Sequence, residues 1–347
     1  LLQSGDTRSA DLHMHLTIVT DAWAPQVNGV AVTLVHTIAG VQRAGHTVDT
    51  ITPEGFLTVP MPTYPEIPLA VLPGREVARR LDAFRPDAVH IATEGPLGSA
   101  ARRHCIRRRQ PFTTAYHTQF PEYMHARCRL PLAISYAWLR HFHAPSRAVL
   151  CATPTLRNRL AARGFRNLVH WSRGVDTELF APAPHEPRPD ERPIFLYVGR
   201  LAVEKSIETF LALDLPGSKW VVGDGPARAG LARSFPNARY FGAQHGDALV
   251  RSYQQADVFV FPSRTDTFGL VLLEAMACGT PVAAFPVPGP IDVVTDPEAG
   301  VLDADLRAAA LAALALDRSK VRRFATRFSW EAATRDFVAN LNPRVSR

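Results

Sequence analysis

Short apolar runs alternate along the chain with stretches of helical period. Residues 15–20 (HLTIVT) read as a buried strand, 21–30 (DAWAPQVNGV) as a turn rich in Pro and Gly, and the spacing of Leu34, Ile38, Val41 and Ala44 as a helix stopped by Gly45. Residues 46–51 then predict a second strand, and strand, loop, helix, strand is the βαβ unit of a parallel sheet. Strands follow at 88–92, 112–116, 149–152 and 169–171, with an Arg-rich helix ending at Arg109 and another over 154–163. Residues 60–73 are Pro-rich and read as irregular. The pattern restarts with a strand at 194–198, a turn at Gly199-Arg200, a helix over 206–213, a strand at 220–222 and a turn at 223–226. A strand at 256–261, a turn over 262–267, a helix through Leu270, Leu273, Met276 and Ala277, a strand at 282–285 and helices over 305–316 and 329–341 complete it.

Length and composition sharpen this outline. A single core is improbable for 347 residues, and the five prolines of 181–193 mark a linker. The domains expected are 14–180 and 194–328, with a C-terminal segment over 329–347; residues 1–13 read as an extension without a structural role. No apolar run approaches the roughly 20 residues of a spanning helix. Cys105, Cys128, Cys151 and Cys278 are widely spaced, which argues for reduced thiols in a cytoplasmic protein and against a disulfide frame or a zinc site. Charge is uneven: residues 1–170 hold 19 Arg and no Lys against 11 acidic residues, an excess of +8 in a chain whose total is +7. A basic half suits an anionic membrane surface as partner, although solubility alone also accounts for it.

The chemistry gathers in the second half. In FPSRTDTFGLVLLEAMACGTP, residues 261–281, Asp266 precedes a helix and Glu274 lies inside it, eight positions apart. Gly199-Arg200 follows a strand, with Lys205 five residues on; a guanidinium fork and an ammonium beside a helix start suit a diphosphate. Taken alone such a pair is ordinary solvated surface. There is no G-x-x-x-x-G-K-[ST], VGDGPARAG is not a dinucleotide fingerprint, and no Asp-x-Asp metal clamp appears, so no metal is expected.

These residues resemble the Glu-x7-Glu signature and GR-x4-K segment of retaining glycosyltransferases of family 4, with Asp266 standing where the family has its first Glu. The resemblance implies the GT-B fold: α/β, two facing Rossmann-like doubly wound domains, with a C-terminal helix crossing back to the first. It implies that Arg200 and Lys205 grip the donor diphosphate, Glu274 binds the ribose, Asp266 binds sugar hydroxyls, and the backbone around Thr267, Phe268, Gly269 and Leu270 faces the sugar. Asn28-Gly29 occupies the position of the family's Gly-Gly loop, and a plain turn is the ordinary alternative. His117 ends a strand where the family places a His against the donor sugar, so His117, Asp266, Arg200 and Lys205 are the catalytic candidates; Glu94, His117 and Tyr123 are the acceptor-side candidates. Asp is one methylene shorter than Glu, which bears on which sugar is used.

RGVDTELF (173–180), TDTFG (265–269) and HTQFPEY (117–123) resemble the glycolipid-forming and GDP-mannose-dependent subgroup. What is expected is hexose transfer, by front-face attack with retention, from a UDP- or GDP-linked sugar co-substrate, with no other cofactor and no nucleic acid. The expected acceptor is a membrane lipid such as diacylglycerol, reached peripherally on the inner membrane face. The Arg- and aromatic-rich stretch 124–147 would then lie at the interface, with Tyr136, Trp138 and Phe142 at headgroup depth; a core-facing amphipathic helix pair is the alternative. A soluble or polysaccharide acceptor, a nucleotide-sugar epimerase and a non-catalytic sugar-binding protein stay open. A phosphorylase would need a pyridoxal-bearing lysine, and Lys205, Lys219 and Lys320 are the only three lysines.

Overall fold

The computed structural model describes residues 13–24, 29–61, 64–184 and 192–341. Its first half runs β1 (His15–Val19), α1 (Gly29–Arg43), β2 (Thr47–Ile51), β3 (Thr58–Met61), β4 (Tyr64–Ala70), α2 (Gly74–Phe84) and β5 (Ala88–Ile91). It continues with α3 (Pro96–Arg108), β6 (Phe112–Tyr116), α4 (Phe120–Cys128), α5 (Leu132–His143), β7 (Val149–Cys151), α6 (Pro154–Ala162) and β8 (Leu168–His170). The second half runs β9 (Ile194–Val198), α7 (Ile207–Leu211), β10 (Ser218–Val222), α8 (Arg228–Ser234), β11 (Arg239–Gly242), α9 (Gly246–Gln255) and β12 (Val258–Phe261). After it come α10 (Leu270–Ala277), β13 (Val282–Ala284), α11 (Pro290–Val293), β14 (Gly300–Leu302), α12 (Leu306–Ala313), α13 (Arg318–Ala325) and α14 (Trp330–Leu341).

Two six-stranded sheets result, ordered β2-β1-β5-β6-β7-β8 and β11-β10-β9-β12-β13-β14. The chain divides into two compact units, residues 1–114 with 338–347, and residues 115–337. The second sheet shows why its strands are apolar throughout. Ile194, Leu196 and Val198 of β9 enter one core with Phe259 and Phe261, while Phe195 and Tyr197 enter another with Val258 and Val260. A parallel strand with helices on both faces buries both sets of alternating side chains, so it reads as a continuous hydrophobic run.

Some expectations change. The Pro-rich stretch 60–73 includes an antiparallel ribbon, β3 against β4, with Pro60 opposite Pro68. In a two-stranded ribbon both strands are edges, where a residue without an N–H is tolerated. His13, expected to have no structural role, bonds the Gly45 carbonyl at 2.6 Å and the Thr47 hydroxyl at 3.0 Å; residues 1–12, and 185–191 of the expected linker, lie outside the described residues. The tail helix α14 packs beside the segment after β8, where the Trp171 indole donates to the Ala333 carbonyl at 3.1 Å and stacks 4.9 Å from Phe337.

Candidate active site

In the second sheet the strand order turns between β9 and β12, and α/β sheets bind ligands beyond the strand C-termini at such a point. Gly199-Arg200 leaves β9 there, and Pro262–Gly269 leaves β12. The turn after β10 packs directly on the first of these. Leu201 N donates to the Asp224 carbonyl at 2.9 Å, and a Cβ on Gly223 would lie 1.9 Å from the Gly199 oxygen. Gly223 is therefore required by a backbone approach no side chain permits.

Lys205 ends a 3-10 turn, Val203–Lys205, and its ammonium donates to Asp266 Oδ1 at 2.5 Å, with the two side chains only 20% and 16% exposed. Burial alone would lower the Lys205 pKa, but Asp266, Tyr123 and Tyr197 outweigh it and hold the ammonium above the ordinary lysine range. The Tyr197 hydroxyl donates to the Arg200 carbonyl at 2.9 Å, fixing the turn from beneath. The second Asp266 oxygen is buried and accepts no hydrogen bond among the described residues, a state that suits an incoming sugar hydroxyl. The shorter Asp266 has thus given one oxygen to Lys205 and kept one.

The turn carrying Asp266 is tied on several sides. The Thr265 hydroxyl donates to the Glu204 carbonyl at 3.1 Å, Gln119 Nε2 to the Asp266 carbonyl at 3.1 Å, and the Thr267 hydroxyl to the His117 carbonyl at 2.6 Å. Tyr123, expected on the acceptor side, lies against the Lys205–Asp266 pair and bonds Thr265 through its hydroxyl; burial raises its pKa. His117, Tyr123, Lys205, Asp266 and Thr267 are therefore one cluster. The helix expected over 206–213 is only the five residues of α7, so the anion-attracting field here comes from side chains rather than a long helix dipole. Phe268 is 6% exposed and joins the core, leaving only its backbone to face a ligand.

Gly269 caps α10 with φ +88, a left-handed conformation that favours glycine. Glu274, inside α10, accepts the Tyr253 hydroxyl at 2.8 Å. Burial pushes its pKa up to about 7, and the Tyr253 bond pulls it partly back. Tyr253 is fully buried between Phe180 and Phe259, with ring centroids 6.0 and 5.7 Å away. Tyr197 and Tyr253 escaped the sequence reading because a buried Tyr looks like core, Tyr197 within the apolar run 194–198 and Tyr253 on α9 between Ser252 and Gln254. Tyr253→Phe keeps the ring and deletes the bond to Glu274. The expected result is a roughly threefold to tenfold higher KM for the donor with kcat little changed, read by initial rates across donor concentration.

The remaining candidates belong to the first unit. Gly29 is the first residue of α1 and exposed, and Asn28 lies outside the described residues. Glu94 precedes Gly95, whose missing Cβ makes room for the Asp21 carboxylate 2.4 Å away. Asp21 accepts from the Thr93 hydroxyl at 2.8 Å and the Leu97 amide at 3.0 Å, so this carboxylate occupies the start of α3. Burial raises the Asp21 pKa, and the Glu94 charge adds to the shift. The sequence reading left Asp21 in a loop.

Cations and carboxylates gathered at the switch point of a doubly wound sheet suit an anionic ligand of the nucleotide class. Residues 27–179 match the model of Glycosyltransferase Family 4, and residues 192–317 that of Glycosyl transferases group 1. The chain belongs to the family 4 glycosyltransferases. It is similar to a GDP-mannose-dependent alpha-mannosyltransferase of Mycobacterium tuberculosis, 32% identical over 83% of each chain. It is also similar to the sulfoquinovosyl transferase SQD2 of Arabidopsis thaliana, 30% identical over 71% of this chain and 52% of the relative. Among solved structures, sucrose-phosphate synthase from Thermosynechococcus elongatus superposes with TM-score 0.72 at 21% identity, over 94% of this chain and 97% of the other. Anabaena Alr3699/HepE superposes with TM-score 0.70 at 15% identity, over 95% and 99%. The fold is GT-B, and the protein is a hexosyltransferase that uses nucleotide sugars.

Proposed function

We propose that the enzyme moves a hexose from a nucleotide-diphosphate sugar to the hydroxyl of a membrane lipid such as diacylglycerol, with retention at the anomeric carbon. The observation that carries the donor half is the Lys205–Asp266 pair: one ammonium proton is given to Asp266, and two remain for phosphate oxygens. Arg200 adds a second cation at the end of β9, and Glu274 offers a carboxylate to ribose hydroxyls. The acceptor oxygen attacks the anomeric carbon from the face the diphosphate leaves, the sugar–phosphate bond breaks, and the acceptor proton passes to the departing phosphate. GDP-mannose is the first donor to test, since relatives named for it match over 83% of the chain.

The lipid half is supported by α5. Ile134 and Trp138 are 58% and 45% exposed on one face, with Arg129, Arg140 and Arg147 exposed nearby. Tyr136 and Phe142, expected at the interface, are instead buried: the Tyr136 hydroxyl donates to Glu122 at 2.6 Å, and both rings face the core. An apolar face with a basic rim suits an anionic bilayer. Among the described residues no helix is long and apolar enough to cross one.

The test pairs donors with surfaces. GDP-mannose, UDP-glucose, UDP-galactose and UDP-glucuronate are offered with phosphatidylglycerol vesicles containing diacylglycerol, with neutral vesicles, and with a water-soluble acceptor. Glycolipid formation with an anionic vesicle, and an α-linked product by NMR, are expected. The double change Ile134→Asp and Trp138→Asp should lower vesicle-dependent turnover roughly tenfold or more, while turnover on the soluble acceptor holds. Vesicle-independent turnover would leave the transferase and remove the membrane reading.

A further inference from the structure

Arg173, in the segment after β8, is 3% exposed, and no carboxylate pairs with it among the described residues. Instead its Nη1 donates to the carbonyls of Trp171 at 2.7 Å and Ser172 at 2.9 Å, and its guanidinium carbon lies 4.0 Å from the centre of the Trp171 ring. Burying a charge without a counter-charge is costly, so such an arrangement calls for a use. Its other terminal nitrogen, Nη2, points at His117 Nδ1, 3.3 Å away.

That contact has a directional consequence. A guanidinium N–H only donates, so Nδ1 must offer its lone pair, and a neutral imidazole then carries its proton on Nε2. The ring is held from other sides as well. The Trp171 edge meets it at 5.7 Å and 71°, and Trp171 is itself anchored by Ala333 and Phe337 of α14. The His117 carbonyl receives the Thr267 hydroxyl from the donor turn. Burial lowers the Arg173 pKa to about 9, which leaves it charged at neutral pH.

We propose that Arg173 is a positioning residue that holds His117 in its Nε2–H tautomer, so that His117 presents a hydrogen-bond donor, rather than a proton acceptor, to the sugar. The inference rests on the reading of His117 as a site residue. It gives His117 a defined role: orienting a sugar oxygen or damping its developing negative charge, with deprotonation of the acceptor left to the departing phosphate.

The test is long-range 1H–15N correlation on the full chain labelled at histidine nitrogens, at pH 7.5, with His117→Asn used to assign the His117 ring. The expected signature is a pyridine-like Nδ1 and a pyrrole-like Nε2; a protonated Nδ1 in the unaltered protein would overturn the proposal outright. In Arg173→Gln the two nitrogen signals should converge as tautomers mix, and kcat should fall roughly tenfold to a hundredfold with donor KM nearly unchanged. Arg173→Lys, which keeps a donor to Nδ1, should restore part of both. If Arg173→Gln does not fold, the spectrum of the unaltered chain decides alone. An Nε2–H tautomer together with full turnover in His117→Asn would sustain the positioning and sink the site reading of His117.

Discussion

Lys205→Ala should lower turnover by about a hundredfold or more and also destabilise the protein. On the proposed donor site the catalytic loss follows from removing a cation that would meet the leaving diphosphate, a contact of the kind that costs on the order of 2–4 kcal/mol in the transition state. The stability loss is the part the sequence hid. Read as a surface lysine, Lys205 should be removable without harm to the fold, but it is largely buried and pairs with Asp266 at 2.5 Å. Its removal leaves Asp266 with both oxygens short of partners, one already so. Losing one member of a buried pair costs roughly 1–3 kcal/mol at this partial exposure, a drop of a few degrees in Tm. Lys205→Ala with Asp266→Asn should recover most of the Tm and none of the turnover. Arg200→Ala is likewise expected to lose turnover. Melting curves and nucleotide release separate the two effects, and near-normal release from both single variants would sink the donor-site assignment.

Glu274→Gln should do the opposite to stability while weakening the donor. Folding raises the Glu274 pKa from an ordinary carboxylate value to about 7. A carboxyl raised in this way favours the folded state below its unfolded pKa, and that contribution is lost as pH rises through 7, an amount on the order of 3 kcal/mol. Above pH 7 the free enzyme therefore holds a carboxylate it would be more stable without, and a neutral amide of the same shape should raise Tm by several degrees at pH 8 and hardly at all at pH 5. Donor affinity should move the other way, roughly tenfold to a hundredfold weaker, because ribose hydroxyls lose a charged acceptor. The unaltered enzyme should also bind GDP or UDP more weakly as pH falls below 7, a slope that Glu274→Gln flattens. Calorimetric titration at pH 6 and 8, beside melting curves, checks both halves. An unchanged affinity at pH 8 would remove Glu274 from the nucleotide site. Both outcomes together would be the stability–function trade expected at an active site.

Most residues of the proposed donor site were legible because they lie in the loops that leave β9 and β12. Arg200 and Lys205 follow β9 and Asp266 follows β12, and a parallel sheet brings the C-terminal ends of its strands to one edge, while Glu274 sits inside the helix after β12. What could not be read was how each is held. Gln119 and Tyr123 lie 147 and 143 positions before Asp266 in sequence, and no local pattern marks a pairing over that span. Arg173 is one of 36 arginines, and a composition that basic argues for exposure. Only the packing of Trp171 on α14 shows that its guanidinium is inside. The stretch 124–147 kept two readings open because Tyr, Trp and Phe suit a core and an interface equally. Two helix faces divided them, Tyr136 and Phe142 inward and Trp138 outward.

The sequence by itself determined the alternation of strand and helix, the restart of that pattern in a second half, and the family whose motifs it carries. These follow from hydrophobic period and from residues adjacent to it, both local properties. The tertiary structure decided that Lys205 is committed to Asp266, that Glu274 is shared with Tyr253, that Asp21 occupies the start of α3, and that Arg173 stands behind His117. Each depends on burial and on partners distant in the chain, because the cost of taking a charge out of water is set by everything that surrounds it once the chain has closed.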